Sequence, residues 1–130
     1  MSDAVLTIGP GHTLRAAAQL MAERNVGSAV VHDPEMPGPG IISERDVLRS
    51  VAAGENPDDE LVATHLTDRL VFAEPDWSLD EASATMARSG VRHLIVMEAS
   101  DVVGIVSMRD IVSSIVVQPQ PGGRFVSSQA

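Results

Sequence analysis

The chain repeats itself. Setting Met1-Ser2-Asp3-Ala4-Val5-Leu6 over Leu66-Thr67-Asp68-Arg69-Leu70-Val71 fixes an offset of about 65 residues, and the two halves then stay in register. Pro10 falls on Pro75, Thr13-Leu14 on Ser78-Leu79, Ala17 on Ala82, Met21-Ala22 on Met86-Ala87, Val26 on Val91 and Val31 on Val96. After a loop that differs by about one residue, Gly40-Ile41-Ile42-Ser43-Glu44-Arg45-Asp46 meets Gly104-Ile105-Val106-Ser107-Met108-Arg109-Asp110. The fold must therefore be one that a unit of about 50–60 residues can build twice.

Each copy reads as strand, helix, strand, strand, helix. Thr13 and Ser78 are placed to accept the orphan amide hydrogens of a first helical turn. Leu14, Ala17, Ala18, Met21 and Ala22 then fall at helical spacing, as do Leu79, Ala82, Met86 and Ala87, so each set forms a core-facing stripe. Asn25 and Gly90 suit the left-handed position that ends a helix. Short apolar strands follow over Ala29–His32 and Leu94–Met97, then a turn, then Gly40–Ser43 and Val102–Ser107. The second helices carry Val47, Leu48 and Val51, or Ile111, Val112 and Ile115. The domain reading is 1–53 for the first unit, 54–64 for an acidic linker, 65–117 for the second unit and 118–130 for a disordered tail. A unit this small cannot cover its apolar sheet face alone, whereas two copies packed sheet to sheet with pseudo-twofold symmetry can. The expected fold class is α+β.

Composition narrows the function. Aromatic residues are 2% of the chain, so the core is aliphatic and no stacking platform for single-stranded nucleic acid exists. Eighteen acidic side chains against nine basic ones give a net charge of −9, which argues against a phosphate backbone spread over the surface. Without cysteine there is no disulfide, thiolate catalysis or thiolate-bound zinc. No apolar run reaches the roughly 18 residues of a membrane span, and MSDAVLTIGPGHT has no basic n-region, so a cytoplasmic location is expected. All nine cations are arginine, whose planar fork suits phosphate if several converge.

The unit order, the Pro-x-x-[Ser/Thr]-Leu-x-x-Ala helix start, Val91-Arg92-His93-Leu94-Ile95-Val96 and the two Gly-Ile-[Ile/Val]-Ser-x-Arg-Asp segments resemble the cystathionine β-synthase (CBS) domain. The resemblance covers roughly residues 1–117 and is that of a stand-alone CBS pair. It implies a regulatory module, not an enzyme, that binds AMP, ADP, ATP or S-adenosylmethionine in clefts between the two copies, as a regulatory ligand with no required cofactor. It further implies that Asp46 and Asp110 accept ribose hydroxyls, that Ser43 and Ser107 contact sugar or phosphate, and that Arg92 and His93 face the phosphates. Arg45 and Arg109 precede each Asp. A homodimer built on the second helices is expected, with an unidentified regulated protein as a further partner.

The spacing agrees. A Ser at a strand end and an Asp three residues on put both side chains and the free amide hydrogens of a helix start at one mouth. The same Ser-x-x-Asp is also an ordinary helix start, with Ser as cap and Asp favoured by the helix dipole. The copies differ: Gly27 and Ser28 stand where Arg92 and His93 stand, and Glu44 stands where Met108 does. The Asp110 site, completed by Ser2–Ala4 and Val26–Ser28, is expected to bind more tightly than the Asp46 site with Thr67–Arg69 and Val91. His12, His32, His65 and His93 lack the pairwise spacing of a metal site, and Asp58-Asp59 and Asp80-Glu81 read as solvating charge. No nucleophile has a base nearby in sequence, which leaves catalysis through His93 as a remote reading. The main alternative is a ligand-free dimeric scaffold or stress protein of the same fold.

Overall fold

The computed structural model describes residues 5–116. The expected disordered tail and the Ser2–Ala4 segment lie outside the described residues. The chain divides into two compact units, which among the described residues are 5–70 and 71–116.

In the first unit, β1 (Thr7–Ile8) is followed by α1 (Leu14–Arg24), β2 (Ser28–Val31), β3 (Gly40–Ser43) and α2 (Glu44–Ala52). β1 pairs parallel with β2, a connection that needs a crossover, and α1 supplies it. β2 and β3 form an antiparallel hairpin in the register Ser28↔Ser43 to Val31↔Gly40. The α1 start follows from Thr13, whose extended backbone (φ −76°, ψ 161°) lets its hydroxyl accept the Ala16 N–H at 3.1 Å. Its end follows from Asn25 at φ 54°, a left-handed conformation that asparagine tolerates better than most residues.

Leu14, Ala17 and Met21 form the buried stripe of α1 and join Leu6, Ile8, Ala29, Val31, Ile42 and Val62 in one core. Ala18 is only half-buried and Ala22 is exposed, so the stripe is narrower than its apolar spacing suggested. On α2, Leu48 and Val51 are exposed although both are apolar. The segment expected to be an acidic linker is largely built into this unit. Leu61 bridges to Thr13, Val62 is fully buried, and Leu14 N–H donates to Glu60 O at 2.9 Å. Its apolar anchor, Val62, decides this: charge on the flanking positions stays at the surface while one buried valine holds the segment to α1.

The second unit repeats the pattern in β4 (Phe72–Ala73), α3 (Leu79–Ser89), β5 (His93–Glu98), β6 (Asp101–Ser107) and α4 (Met108–Val116). The register Phe72↔Ile95 copies Thr7↔Val30 at the offset set by the sequence, and Gly90 at φ 68° ends α3 as Asn25 ends α1. Past the hairpin the offset falls by one. In the first unit residues 32–39 join β2 to β3, with Pro34, Pro37 and Pro39 unable to donate to a ladder. In the second, the ladder runs on to Glu98↔Asp101, with a bulge at Val96/Met97 and Ala99 at φ 56° in the turn. The core is Ala73, Ala82, Met86, Leu94, Val96, Val106 and Ile111. It is aliphatic, and Trp77 only packs against its edge. Leu79 and Ala87, expected inside, are exposed, while Thr85 is buried and satisfies its hydroxyl on Glu81 O at 2.8 Å.

Leu14→Ala should destabilise the chain by about 2.5–5 kcal/mol, because it removes a fully buried side chain from the centre of a core. Thr13→Ala should cost about 1 kcal/mol, the loss of one helix cap. Urea denaturation of both variants checks the order, and a Leu14→Ala loss no larger than that of Thr13→Ala would contradict the packing described.

Candidate functional site

Each unit places the same group at the same junction. Ser43 is the last residue of the β2–β3 ladder and the N-cap of α2 at once. Its hydroxyl accepts the Asp46 N–H at 3.3 Å, and its own N–H donates to Asp46 Oδ2 at 2.8 Å. This reciprocal capping box satisfies orphan donors at the helix start and fixes the carboxylate at the mouth. The Ser43 hydroxyl also donates to Asp46 Oδ2 at 2.8 Å. Thr67, 21 residues after Asp46 in a segment held by its N–H to Ile41 O (2.8 Å), donates its hydroxyl to the same oxygen at 2.5 Å.

Ser107 and Asp110 repeat the box. Ser107 N–H donates to Asp110 Oδ2 at 2.9 Å, and Asp110 N–H donates to Ser107 Oγ at 3.0 Å. The ladder register His93↔Ser107 brings His93 beside the serine, and Met108 N–H donates to Arg92 O at 2.9 Å. Arg92, His93, Ser107, Arg109 and Asp110 are thus gathered at one end of one hairpin, with Arg92 and Arg109 exposed and the other three half-buried.

The first unit has the same backbone and different chemistry. Glu44 N–H donates to Gly27 O at 2.9 Å, the counterpart of the Met108–Arg92 bond. The Glu44 carboxylate lies over Gly27, with an oxygen 3.2 Å from where a Cβ would stand. Here Ser43 is buried, Asp46 half-buried and Arg45 exposed, so a carboxylate occupies the side on which the second unit carries Arg92. Thr67, expected at the Asp46 site within Thr67–Arg69, comes from outside the hairpin, and the chain's return past Ile41 brings it there.

A further cluster joins residues that the sequence left apart. His65 Nε2 lies 2.7 Å from Glu60 Oε1 and 3.8 Å from Glu55 Oε1. The acidic pair Asp58-Asp59 is engaged locally: Asp58 pairs with Arg15, and Asp59 accepts from Asn56 Nδ2 at 3.3 Å. No described helix is long and apolar enough to cross a membrane.

Thr67→Val removes a hydrogen bond to a charged acceptor and should cost about 1.5–3 kcal/mol of stability. Thr67→Ser, which keeps the hydroxyl, should cost about 1 kcal/mol or less. Urea melts of the pair read this out, and equal losses would show that the hydroxyl does not matter.

Comparison with known proteins agrees with this geometry. The CBS domain family matches residues 1–53 and 62–117. A CBS domain-containing protein of Bacillus subtilis, YhcV, is 34% identical over 115 residues, spanning 85% of this chain and 79% of that protein. A protein with CBS domains from Burkholderia ambifaria superposes with a TM-score of 0.78 at 29% identity, covering 91% of this chain and 87% of the other. A CBS domain protein of Pyrobaculum aerophilum, solved in complex with AMP, superposes with a TM-score of 0.73 at 25% identity, covering 90% of this chain and 95% of the other. With both copies matched, the chain belongs to the CBS domain family as a tandem pair.

Proposed function

We propose that the chain is a regulatory module that binds an adenosine-containing ligand, AMP, ADP, ATP or S-adenosylmethionine, and signals by a shift in conformation. The observation that carries this reading is the duplicated strand-end carboxylate, held in the same capping box at Ser43/Asp46 and at Ser107/Asp110. An aspartate whose Oδ2 is fixed by backbone and hydroxyl donors is pre-oriented to accept the two vicinal hydroxyls of a ribose. The AMP complex of the Pyrobaculum aerophilum relative supports the ligand class. Ligand phosphates would meet Arg92, His93 and Arg109 in the second motif and Arg45 in the first. A ligand that binds one conformation better than another shifts the population by its differential affinity, and that shift is the signal an unidentified partner would read.

The second motif should bind more tightly. Arg92 and Met108 present a cation and a neutral side chain where Gly27 and Glu44 present no cation and an anion. Asp110→Ala should therefore weaken AMP and ATP binding by about 10- to 100-fold, the value of one charged hydrogen bond, and Asp46→Ala by clearly less. Calorimetric titration of both variants tests this, and equal losses would remove the asymmetry. Thermal-shift screening against AMP, ADP, ATP and S-adenosylmethionine addresses the ligand class itself. A specific rise of several degrees is expected; no effect at millimolar concentration would favour a scaffold.

We also propose a homodimer through the second helices. Leu48 is 65% exposed on α2, and its repeat counterpart Val112 is 48% exposed on α4, which is costly for apolar side chains left in water. Leu48→Glu and Val112→Glu together should convert the dimer to a monomer in light-scattering chromatography. A wild-type monomer would overturn the reading.

A further inference from the structure

We infer that Glu55, Glu60 and His65 form a binding site for one divalent transition-metal ion, with zinc as the probe of choice. One ligand atom from each residue lies within 4.8 Å of the other two. The His65 Nε2 distances of 2.7 and 3.8 Å bracket the ~3.3 Å that separates ligand atoms around a tetrahedral ion with bonds near 2.0–2.1 Å. Changes of about 0.5–0.6 Å in the two distances from His65 would bring them to that separation.

The three donors come from a loop, but the loop is tied down around each of them. Glu55 N–H donates to Ser50 O at 3.1 Å after Gly54 turns the chain at φ +86°. Glu60 N–H donates to Asn56 O, and Glu60 O accepts the Leu14 N–H at 2.9 Å, the first turn of α1. Val62 N–H donates to His12 O at 2.8 Å and His65 N–H to Val62 O at 3.0 Å, with the Val62 side chain fully buried between them in sequence. Ser50, itself buried, donates its hydroxyl to Glu55 Oε1 at 2.7 Å, the oxygen that faces His65, and so orients a ligand carboxylate as outer-shell groups do in metal sites. Exposure grades across the cluster: the side chain of His65 is 18% exposed, Glu60 28% and Glu55 40%. The imidazole is therefore at the base and the outer carboxylate at the solvent edge, which leaves a path for the ion and room for water to complete its coordination.

The donor set selects the class of ion. One imidazole and two carboxylates favour Zn²⁺, Co²⁺, Ni²⁺ or Mn²⁺ over Mg²⁺ and Ca²⁺, which take oxygen ligands. Two carboxylates also cancel the dipositive charge. An ion here would pin the chain leaving α2 to the chain entering residues 62–65, so that binding stiffens the first unit's docked segment. The site shares no residue with the two Ser/Asp motifs, and its failure would leave the nucleotide reading as it stands.

Calorimetric titration of chelator-treated, nucleotide-free protein with Zn²⁺ tests the inference. One ion per chain is expected, with affinity reduced at least tenfold in His65→Gln and in Glu60→Gln and about tenfold in Ser50→Ala. His12→Gln and His32→Gln should bind as the parent does. Because Glu60 and His65 help to dock the segment, circular dichroism must show that their variants are folded. Glu55→Gln, at the exposed edge, serves as the mildest substitution. Zinc titration of the parent protein followed by the ring resonances of its histidines gives a measurement independent of any variant, with His65 expected to shift first. Absence of saturable zinc binding at up to about 1 mM, or binding accompanied by shifts at other histidines and none at His65, would overturn the site and leave a hydrogen-bonded His65–Glu60 pair.

Discussion

Both hairpins end on a serine that serves two structures at once. Ser43 closes the β2–β3 ladder and opens α2, and Ser107 closes the β5–β6 ladder and opens α4. The sheet register therefore decides where each helix begins, and the helix start decides where the aspartate three residues later must point. A slip of one residue in the ladder would turn the serine to the other face of the sheet and dissolve the capping box. In the observed register Ala29, Val31 and Ile42 in one unit and Leu94, Val96 and Val106 in the other join the cores beneath α1 and α3. Ladder register and site geometry are thus one constraint.

That coupling explains how much was legible beforehand. Strands, helices and caps follow from features local to a few residues: Thr13 and Ser78 before apolar helices, Asn25 and Gly90 after them, Gly40 and Gly104 at the far strands. The repeat then tests each assignment twice, and the hairpin length difference appears in the structure as a drop of one in the offset. Which apolar residues turn outward was less legible. Ala22, Ala87 and Leu79 satisfy helical spacing as well as Met21, Met86 and Ala82 do, but a helix over a three-stranded sheet buries a narrow stripe. Periodicity cannot state how narrow.

Long-range side-chain meetings lie beyond what spacing states: the family resemblance set Thr67–Arg69 at the Asp46 site, and nothing in the sequence set Glu55, Glu60 and His65 together. Thr67 reaches Asp46 because residues 54–70 return along the first unit, and Glu55, Glu60 and His65 meet because the same segment curls between two anchors. Neither is a spacing on a helix or a strand. Residues 54–64 look like a linker because Glu55, Asp58, Asp59 and Glu60 dominate their composition, whereas the placement is decided by the single buried Val62. Glu55, Asp58 and Asp59 stay exposed in the docked segment, while valine gains about 1.5–3 kcal/mol only if it docks.

The duplicated backbone gives the two motifs the same capping box and leaves their electrostatics free to diverge. Glu44 N–H to Gly27 O and Met108 N–H to Arg92 O are the same bond at the same length. What differs is the pair of side chains that this bond brings together. With Glu44 lying over position 27, an arginine there would meet a carboxylate first; in the second unit the same backbone bond joins a neutral Met108 to Arg92. Glycine at 27 and glutamate at 44 therefore belong together, as do arginine at 92 and methionine at 108. In a chain of net charge −9 with no lysine, one such substitution pair is enough to make two geometrically equivalent carboxylate sites chemically unequal. Duplication preserved the frame that aims the aspartates, and the partner of each strand-end bond sets the charge that a ligand would meet.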